Sequence, residues 1–400
     1  MYLGASVLAR AGSLLLIPLY TRRLTLEEYG NYALFLTLLV FLSTFISAGL
    51  VSAIPTAYFS EKDCAEGKRR ASEVARWTAL FSMGTALVLL MGVELFALEG
   101  SAPLLGRSSL RLAVLGAAGT AISVVPPTLL RSEQRAYSAA AFQLLQFVTL
   151  AAAGLILVWV LDRGYRGAIE AAAGAPTVSG IASLIYIQML PKSAMRFDRL
   201  RAALRFAAPF LPHFVAQWLL AAADLWILGK AGFEQELGSY SLAAQVIVPV
   251  TMVITAWNEH MGPEMGERFR EGGIPEIRRH LPRVRFSYFV AAVIPGVAVL
   301  LGIPLIVWLI GPEFGPAIAF VPFLLLATLP NALYFSDFQV VYYAGRTRWI
   351  GRATITAAAI GVTLGLLLIP PFGAPGAIVS RIVGWSVRAF IVVYFAGKVD

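Results

Sequence analysis

The stretch from Leu8 to Leu34 reads LARAGSLLLIPLYTRRLTLEEYGNYAL. It joins an apolar helix with Arg10 near its middle, a short polar turn and the start of a second apolar helix. The turn carries Glu28-Tyr29-Gly30-Asn31-Tyr32, an E-x-G-x-Y pattern that returns as Glu236-Leu237-Gly238-Ser239-Tyr240 at an offset of 208 residues. A second echo, G-x-x-G-A-I, relates Gly164 to Ile169 with Gly373 to Ile378 at an offset of 209. Two short matches whose offsets agree to within one residue, near half of a 400-residue chain, indicate a duplicated unit.

Working outward, apolar runs of about 20 residues recur along the chain, the length a helix needs to cross ~30 Å of hydrocarbon. The composition is 58% apolar and 14% charged, with a mean hydropathy of +0.74. A soluble domain carries about a quarter charged residues. The expected class is therefore an all-α polytopic membrane protein. The spans are expected over residues 2–20, 31–58, 77–98, 110–130, 138–161 and 168–190 in the first half. In the second half they are expected over 207–229, 240–261, 286–310, 317–343, 349–369 and 376–396. Twelve spans, six per half, make two parallel six-helix repeats about an axis along the membrane normal. The expected domains are an N-terminal bundle (1–190), a linker (191–206) and a C-terminal bundle (207–400).

The formal charge of +9 resides in short loops rather than in a nucleic-acid-binding patch. Loops on the side of both termini hold 22 Lys and Arg, including the runs Lys68-Arg69-Arg70 and Arg278-Arg279, against 7 on the other side. The positive-inside rule then puts both termini in the cytoplasm. The first apolar run continues to Tyr20 and Thr21-Arg22-Arg23 without a small-residue cleavage site, so it reads as a span that stays. Residues 191–206 and 262–285 are basic and mixed in charge, and read as interfacial helices on anionic headgroups. Cys64 is the single cysteine, which excludes an intramolecular disulfide and a cysteine-based metal site.

Few ionisable groups lie at membrane depth, where each is costly. Arg10 sits in the first span. Arg381 and Arg388 share one face of the last with Trp385. Asp224 lies in the seventh span and Asp337 in the tenth. Arginine binds phosphate oxygens bidentately and keeps its charge, so Arg10, Arg381 and Arg388 are candidate ligands for an anionic substrate. Asp224 and Asp337 are candidate sites for a coupling proton or sodium ion. The alternative for the arginines is a buried structural pair with a carboxylate or backbone carbonyls, or snorkelling, and for the aspartates it is pairing with those arginines. Prolines such as Pro18, Pro55, Pro249, Pro295 and Pro330 fit bent spans. The sequence has no P-loop, G-x-S-x-G or H-E-x-x-H, and His213, His260 and His280 are scattered. Neither an enzyme, a cofactor nor a metal is expected.

The opening stretch resembles that of the polysaccharide-export flippases, the O-antigen or lipid-linked oligosaccharide translocases. Their superfamily includes the multidrug and toxic compound extrusion transporters. Ala222-Ala223-Asp224-Leu225-Trp226, Gly238-Ser239-Tyr240-Ser241-Leu242-Ala243 and the segment from Ala344 to Ser380 are similar to that family as well. The resemblance covers nearly the whole chain. It implies two bundles in a V around a cavity that opens alternately to either side, and an undecaprenyl-pyrophosphate-linked oligosaccharide as substrate. It also implies Arg10 as cavity-lining, with Asp224 facing it. Leu225 and Gln245 stand where many relatives carry basic residues, which makes the second half less cationic.

The expected function is thus translocation of that lipid-linked oligosaccharide across a bacterial cytoplasmic membrane by alternating access. Its partners would be membrane lipids and other polysaccharide assembly proteins, with no nucleic acid. An ion-coupled drug or metabolite antiporter of the same fold is the alternative. A membrane polymerase would need a sizeable outer loop, and none is expected.

Overall fold

The computed structural model describes residues 16–61, 63–96, 106–191 and 194–399. Every regular element among them is helical. Ten helical segments among the described residues are long and apolar enough to cross a membrane. Their outward faces remain apolar: Leu87, Val88, Met91 and Leu95 stand exposed on one helix, and Leu366, Leu367 and Phe372 on another. Such surface is unfavourable in water and suits acyl chains. The protein is an all-α, multi-pass membrane protein.

Packing divides the described residues into two units. The first contains residues up to Leu24 and Asn31–Phe214; the second contains Thr25–Gly30 and the chain from Val215 on. In the first unit, α1 (Ile17–Thr21) precedes α2 (Leu26–Ser47), whose first turn belongs by contact to the second unit. Next come α3 (Ala53–Phe59), α4 (Cys64–Phe96), α5 (Arg107–Ser123), α6 (Val125–Ser132), α7 (Ala136–Gly154) and α8 (Gly164–Met189). The amphipathic α9 (Phe197–Ala207) closes the unit.

The second expected span is corrected here. Residues 31–58 are not one helix, because the chain turns left-handed at Ala48 and Gly49 (φ 46° and 68°) between α2 and α3. Glycine tolerates that conformation as no other residue does. The apolar core at the α3 end of this unit includes Leu50, Ile54, Val74, Ala75 and Leu129, and α9 adds Leu200 and Ala203 to it. The linker helix is thereby part of the first unit's core.

The second unit is built from α10 (Leu211–Lys230), α11 (Glu234–Val246), α12 (Val248–Leu301), α13 (Ile303–Ile310) and α14 (Gly315–Ile318). It is completed by α15 (Val321–Tyr343), α16 (Thr347–Phe372) and α17 (Ala374–Gly397). At 1.5 Å per residue, the 54 residues of α12 are far too long for one crossing. The helix is interrupted at Gly273 (φ 68°, ψ −154°), and it folds back there. Tyr288 Oη donates to Asn258 Oδ1 at 2.9 Å and Trp257 Nε1 to Ser287 Oγ at 3.0 Å. Both pairs are centred on Gly272 and Gly273. The basic 262–285 segment continues the two arms as helix on either side of this reversal. Its charges sit at helix spacing, as in Arg268 with Glu264 at 2.8 Å, which supports an exposed helix.

The echoed turns meet each other. A Cβ on Gly238 would lie 1.9 Å from the Leu26 carbonyl oxygen, and one on Gly30 would lie 2.9 Å from the Gly238 nitrogen. Two glycines let the first turn of α2 cross α11 at backbone distance. The echoed glutamates do different work. Glu28 forms a reciprocal cap with Thr25, each side chain accepting the other's backbone N–H at 3.0 and 3.2 Å. Glu236 instead accepts the Ala374 N–H at 2.6 Å and so caps α17.

Candidate functional site

The polar groups of the second unit converge along one seam between α17 and α10. Arg381, Trp385 and Arg388 recur at helical spacing on α17. Asp224, Leu220 and Gln217 descend α10 with the same intervals, as antiparallel neighbours require. Arg381 Nε donates to Asp224 Oδ2 at 2.7 Å, and its Nη2 reaches Asp224 Oδ1 at 3.1 Å and the Ala221 carbonyl at 3.0 Å. Trp385 Nε1 donates to the Leu220 carbonyl at 3.3 Å. Arg388 Nη1 donates to Gln217 Oε1 at 2.9 Å.

Asp224 is saturated. Besides Arg381 it accepts the Leu225 N–H at 2.9 Å and the Tyr240 hydroxyl at 2.5 Å. That uses about four acceptor sites, the capacity of a carboxylate. The pair is buried, with side chains 6% and 10% exposed, and Tyr240 presents its ring to Arg381 at 5.2 Å. The cavity beside it measures about 20 Å³. A single water fits such a volume; a phosphate does not.

Arg388 is held differently. It is 1% exposed, and no carboxylate lies within ion-pair distance of it among the described residues. Nη2 donates to Asn331 Oδ1 of α15 at 2.6 Å, and the guanidinium stacks 4.1 Å from the Tyr334 ring and 4.7 Å from Trp385. Its buried Nε has no hydrogen-bond partner. Neutral acceptors and π faces stabilise this cation, and its charge is left uncompensated. Asp337, fully buried on α15, accepts Arg285 Nε at 3.0 Å, Arg285 Nη2 at 2.5 Å and Ser336 Oγ at 2.8 Å.

Of the five residues singled out from sequence, Arg381 and Asp224 are thus paired, Arg388 lies along the same seam, and Asp337 pairs with Arg285 on the α12 arm. Arg10 lies outside the described residues. Arg285 had counted as a loop cation, and its role needed the fold of α12. Gln217, Asn331 and Tyr334 carried no signal, being neutral residues in apolar runs. Tyr240 carried one, as the tyrosine of the second E-x-G-x-Y.

In the first unit, Glu73 of α4 is fully buried. It accepts the Arg196 N–H at 2.8 Å and pairs with Arg199 at the start of α9. Arg76, one turn on, donates to the Leu190 and Pro191 carbonyls at 2.7 and 3.0 Å. These contacts clamp the linker helix. Among the described residues no three His, Cys, Asp or Glu side chains form a metal-binding group.

A sequence profile described as polysaccharide biosynthesis protein matches residues 19–268, more than half of the chain. The chain belongs to the polysaccharide biosynthesis protein family. Among curated relatives of this family member, Lsg locus protein 1 of Haemophilus influenzae is 21% identical over 378 residues, covering 90% of this chain and 88% of that one. A multidrug resistance MATE transporter of the MOP superfamily superposes with a TM-score of 0.73 at 17% identity, over 97% of this chain and 94% of its own. The lipid II flippase MurJ superposes with a TM-score of 0.74 at 12% identity, over 99% and 87%. At those identities the likeness is one of fold. This polysaccharide biosynthesis protein shares the fold of both.

Proposed function

We propose that this polysaccharide biosynthesis protein is a flippase for undecaprenyl-pyrophosphate-linked oligosaccharide. It moves its cargo from the cytoplasmic to the outer leaflet of a bacterial cytoplasmic membrane. The observation that carries the reading is Arg388. A lone arginine at membrane depth costs about 2.5–3.5 kcal/mol on insertion scales, and a neutral residue would pack the seam without that cost. An anionic cargo supplies the missing counter-charge. In the second unit Arg381 meets Asp224 and Arg285 meets Asp337, which leaves Arg388 as the surplus cation. A carrier of cationic drugs would need the opposite balance.

The architecture proposed with it has twelve spans in two parallel six-helix repeats, residues 1–190 and 207–400 joined by 191–206, with both termini cytoplasmic. The two sequence echoes and the loop-charge asymmetry support it. Arg10, Arg381 and Arg388 bind the pyrophosphate, while the polyprenyl tail stays among membrane lipids. Because the cavity beside Arg381 is about 20 Å³, a phosphate engages Arg381 only by replacing Asp224. The released carboxylate of Asp224 is then the site open to the coupling ion. Return of Arg381 displaces that ion as the cargo leaves. Asp337, paired with Arg285, is the second group able to exchange partners in this way. No bond of the cargo is made or broken, so neither enzyme chemistry nor a cofactor is involved. Other polysaccharide assembly proteins supply and consume the cargo.

Mass spectrometry of lipid-linked glycans in a strain lacking the gene tests this reading. Full-length polyprenyl-pyrophosphate glycan should accumulate on the cytoplasmic side. Wild-type protein should clear it, while Arg10→Ala and Arg388→Gln should fail to do so at unchanged abundance. An unchanged lipid pool would transfer the protein to the small-molecule antiporters of the same fold.

A further inference from the structure

A cleft of about 440 Å³ opens in the second unit between the C-terminal arm of α12, α15 and α17. Its walls are Phe289 on α12, Leu333 on α15 and Phe390 and Val393 on α17; among the described residues Ser386 is its one small polar group and Arg285 its one charge. Phe289, Leu333 and Phe390 are exposed, so the cleft is open, with an apolar rim that suits acyl chains. Its volume lies within the ~300–1,000 Å³ range of ligand pockets. A sugar placed there would lose its water with almost no polar partner in return. An alkyl chain loses nothing by entering.

The charged end narrows the choice. Arg285 commits Nε and one N–H of Nη2 to Asp337, leaving Nη1 free among the described residues, on a side chain 40% exposed. Two turns along the same face of α12, Arg278 Nη2 donates to the Ala396 and Gly397 carbonyls at the end of α17, at 2.9 Å each. Arg279 and Arg283 nearby are exposed, and none of these three arginines has a carboxylate within ion-pair distance among the described residues. An apolar cleft thus ends in the open Nη1 donor of Arg285, with three further arginines on the same arm of α12.

We infer that this cleft binds an anionic glycerophospholipid, one acyl chain lying between Phe289, Leu333 and Phe390 and the phosphate on Nη1 of Arg285. The site is distinct from the seam of Asp224, Arg381 and Arg388, and it does not depend on the cargo proposed above. Phosphate suits the position because the guanidinium edge presents paired donors to its oxygens, and anionic headgroups concentrate where Lys and Arg cluster at a membrane surface.

The test uses the full chain in nanodiscs containing a phosphatidylglycerol with a photoactivatable diazirine on its acyl chain, followed by peptide mapping. Cross-links are expected on the peptides bearing Phe289, Leu333 and Phe390. Leu333→Trp, which fills the cleft from an exposed position, should reduce them at least tenfold. The paired change Arg285→Gln with Asp337→Asn keeps a hydrogen-bonded neutral pair in the core and should reduce them several-fold. The same diazirine on phosphatidylcholine should label those peptides several-fold less. Equal labelling by the two headgroups, or labelling that survives Leu333→Trp, would overturn the inference. So would displacement of the probe by equimolar polyprenyl phosphate, which would give the cleft to a carrier tail, or cross-links to a second copy of the chain.

Discussion

Replacing Asp224 by Ala tests the seam most directly. The change leaves the Arg381 guanidinium buried without a counter-charge, and it strips the Tyr240 hydroxyl and the Leu225 N–H of their acceptor. Removing one partner of a buried pair typically costs about 3–5 kcal/mol. At ~1.4 kcal/mol per factor of ten, the local opening equilibrium shifts by roughly two to three and a half orders of magnitude. Hydrogen exchange read by mass spectrometry on the full chain in detergent reports this directly. Peptides from α10, α11 and α17 should lose about 100-fold or more of their protection, while peptides from α8 in the other unit should not change. Thiol-reactive unfolding dyes are unsuited here, because the single cysteine, Cys64, is already exposed. The double variant Asp224→Asn with Arg381→Gln removes both charges, so it should be better protected than Asp224→Ala. Loss of less than about tenfold in the single variant would refute the account of the pair as a closed unit. So would a double variant no better protected than the single.

Gly238→Ala should destabilise by more than about 1 kcal/mol, since its Cβ would meet the Leu26 carbonyl at 1.9 Å. Gly92→Ala, where nothing lies within 4 Å, should be neutral or stabilise by about 0.5–1 kcal/mol through helix propensity; thermal unfolding followed by size-exclusion chromatography compares the two. Glu73→Gln weakens charge-assisted bonds worth roughly 1.5–3 kcal/mol, so trypsin should cleave at Arg196, Arg199 and Arg201 roughly ten- to a hundredfold faster. Unchanged cleavage would mean that Leu200 and Ala203 alone hold the linker helix.

The all-helical membrane class was legible because length and apolarity are local properties. A run of about 20 apolar residues has one low-energy arrangement in a bilayer, whatever its neighbours do. Family membership was legible in the same way, from the opening stretch and the segments around Asp224 and Ala344. The E-x-G-x-Y echo was visible as well, but not its consequence. That Gly30 and Gly238 touch each other, and that Glu236 caps a helix starting 138 residues later, depends on how the helices cross. The break at Ala48 and Gly49 was hidden within a stretch apolar enough to read as one span. The reversal at Gly273 was covered by the general expectation of a loop, and Gly272-Gly273 was its one local mark.

The candidate site divides along the same line. Sequence by itself determined which residues would be costly at membrane depth, and that Arg381, Trp385 and Arg388 share a helix face, because period and hydration cost are properties of one segment. It left open, for each arginine and aspartate, whether a cargo or a neighbouring side chain meets its charge. Only the tertiary structure decided which of them are neutralised within the protein: Arg381 by Asp224 across 157 residues, Asp337 by Arg285 across 52, and Arg388 by no carboxylate among the described residues. Pairing energies fall with distance in space, and distance in space between helices is set by packing that no local pattern records.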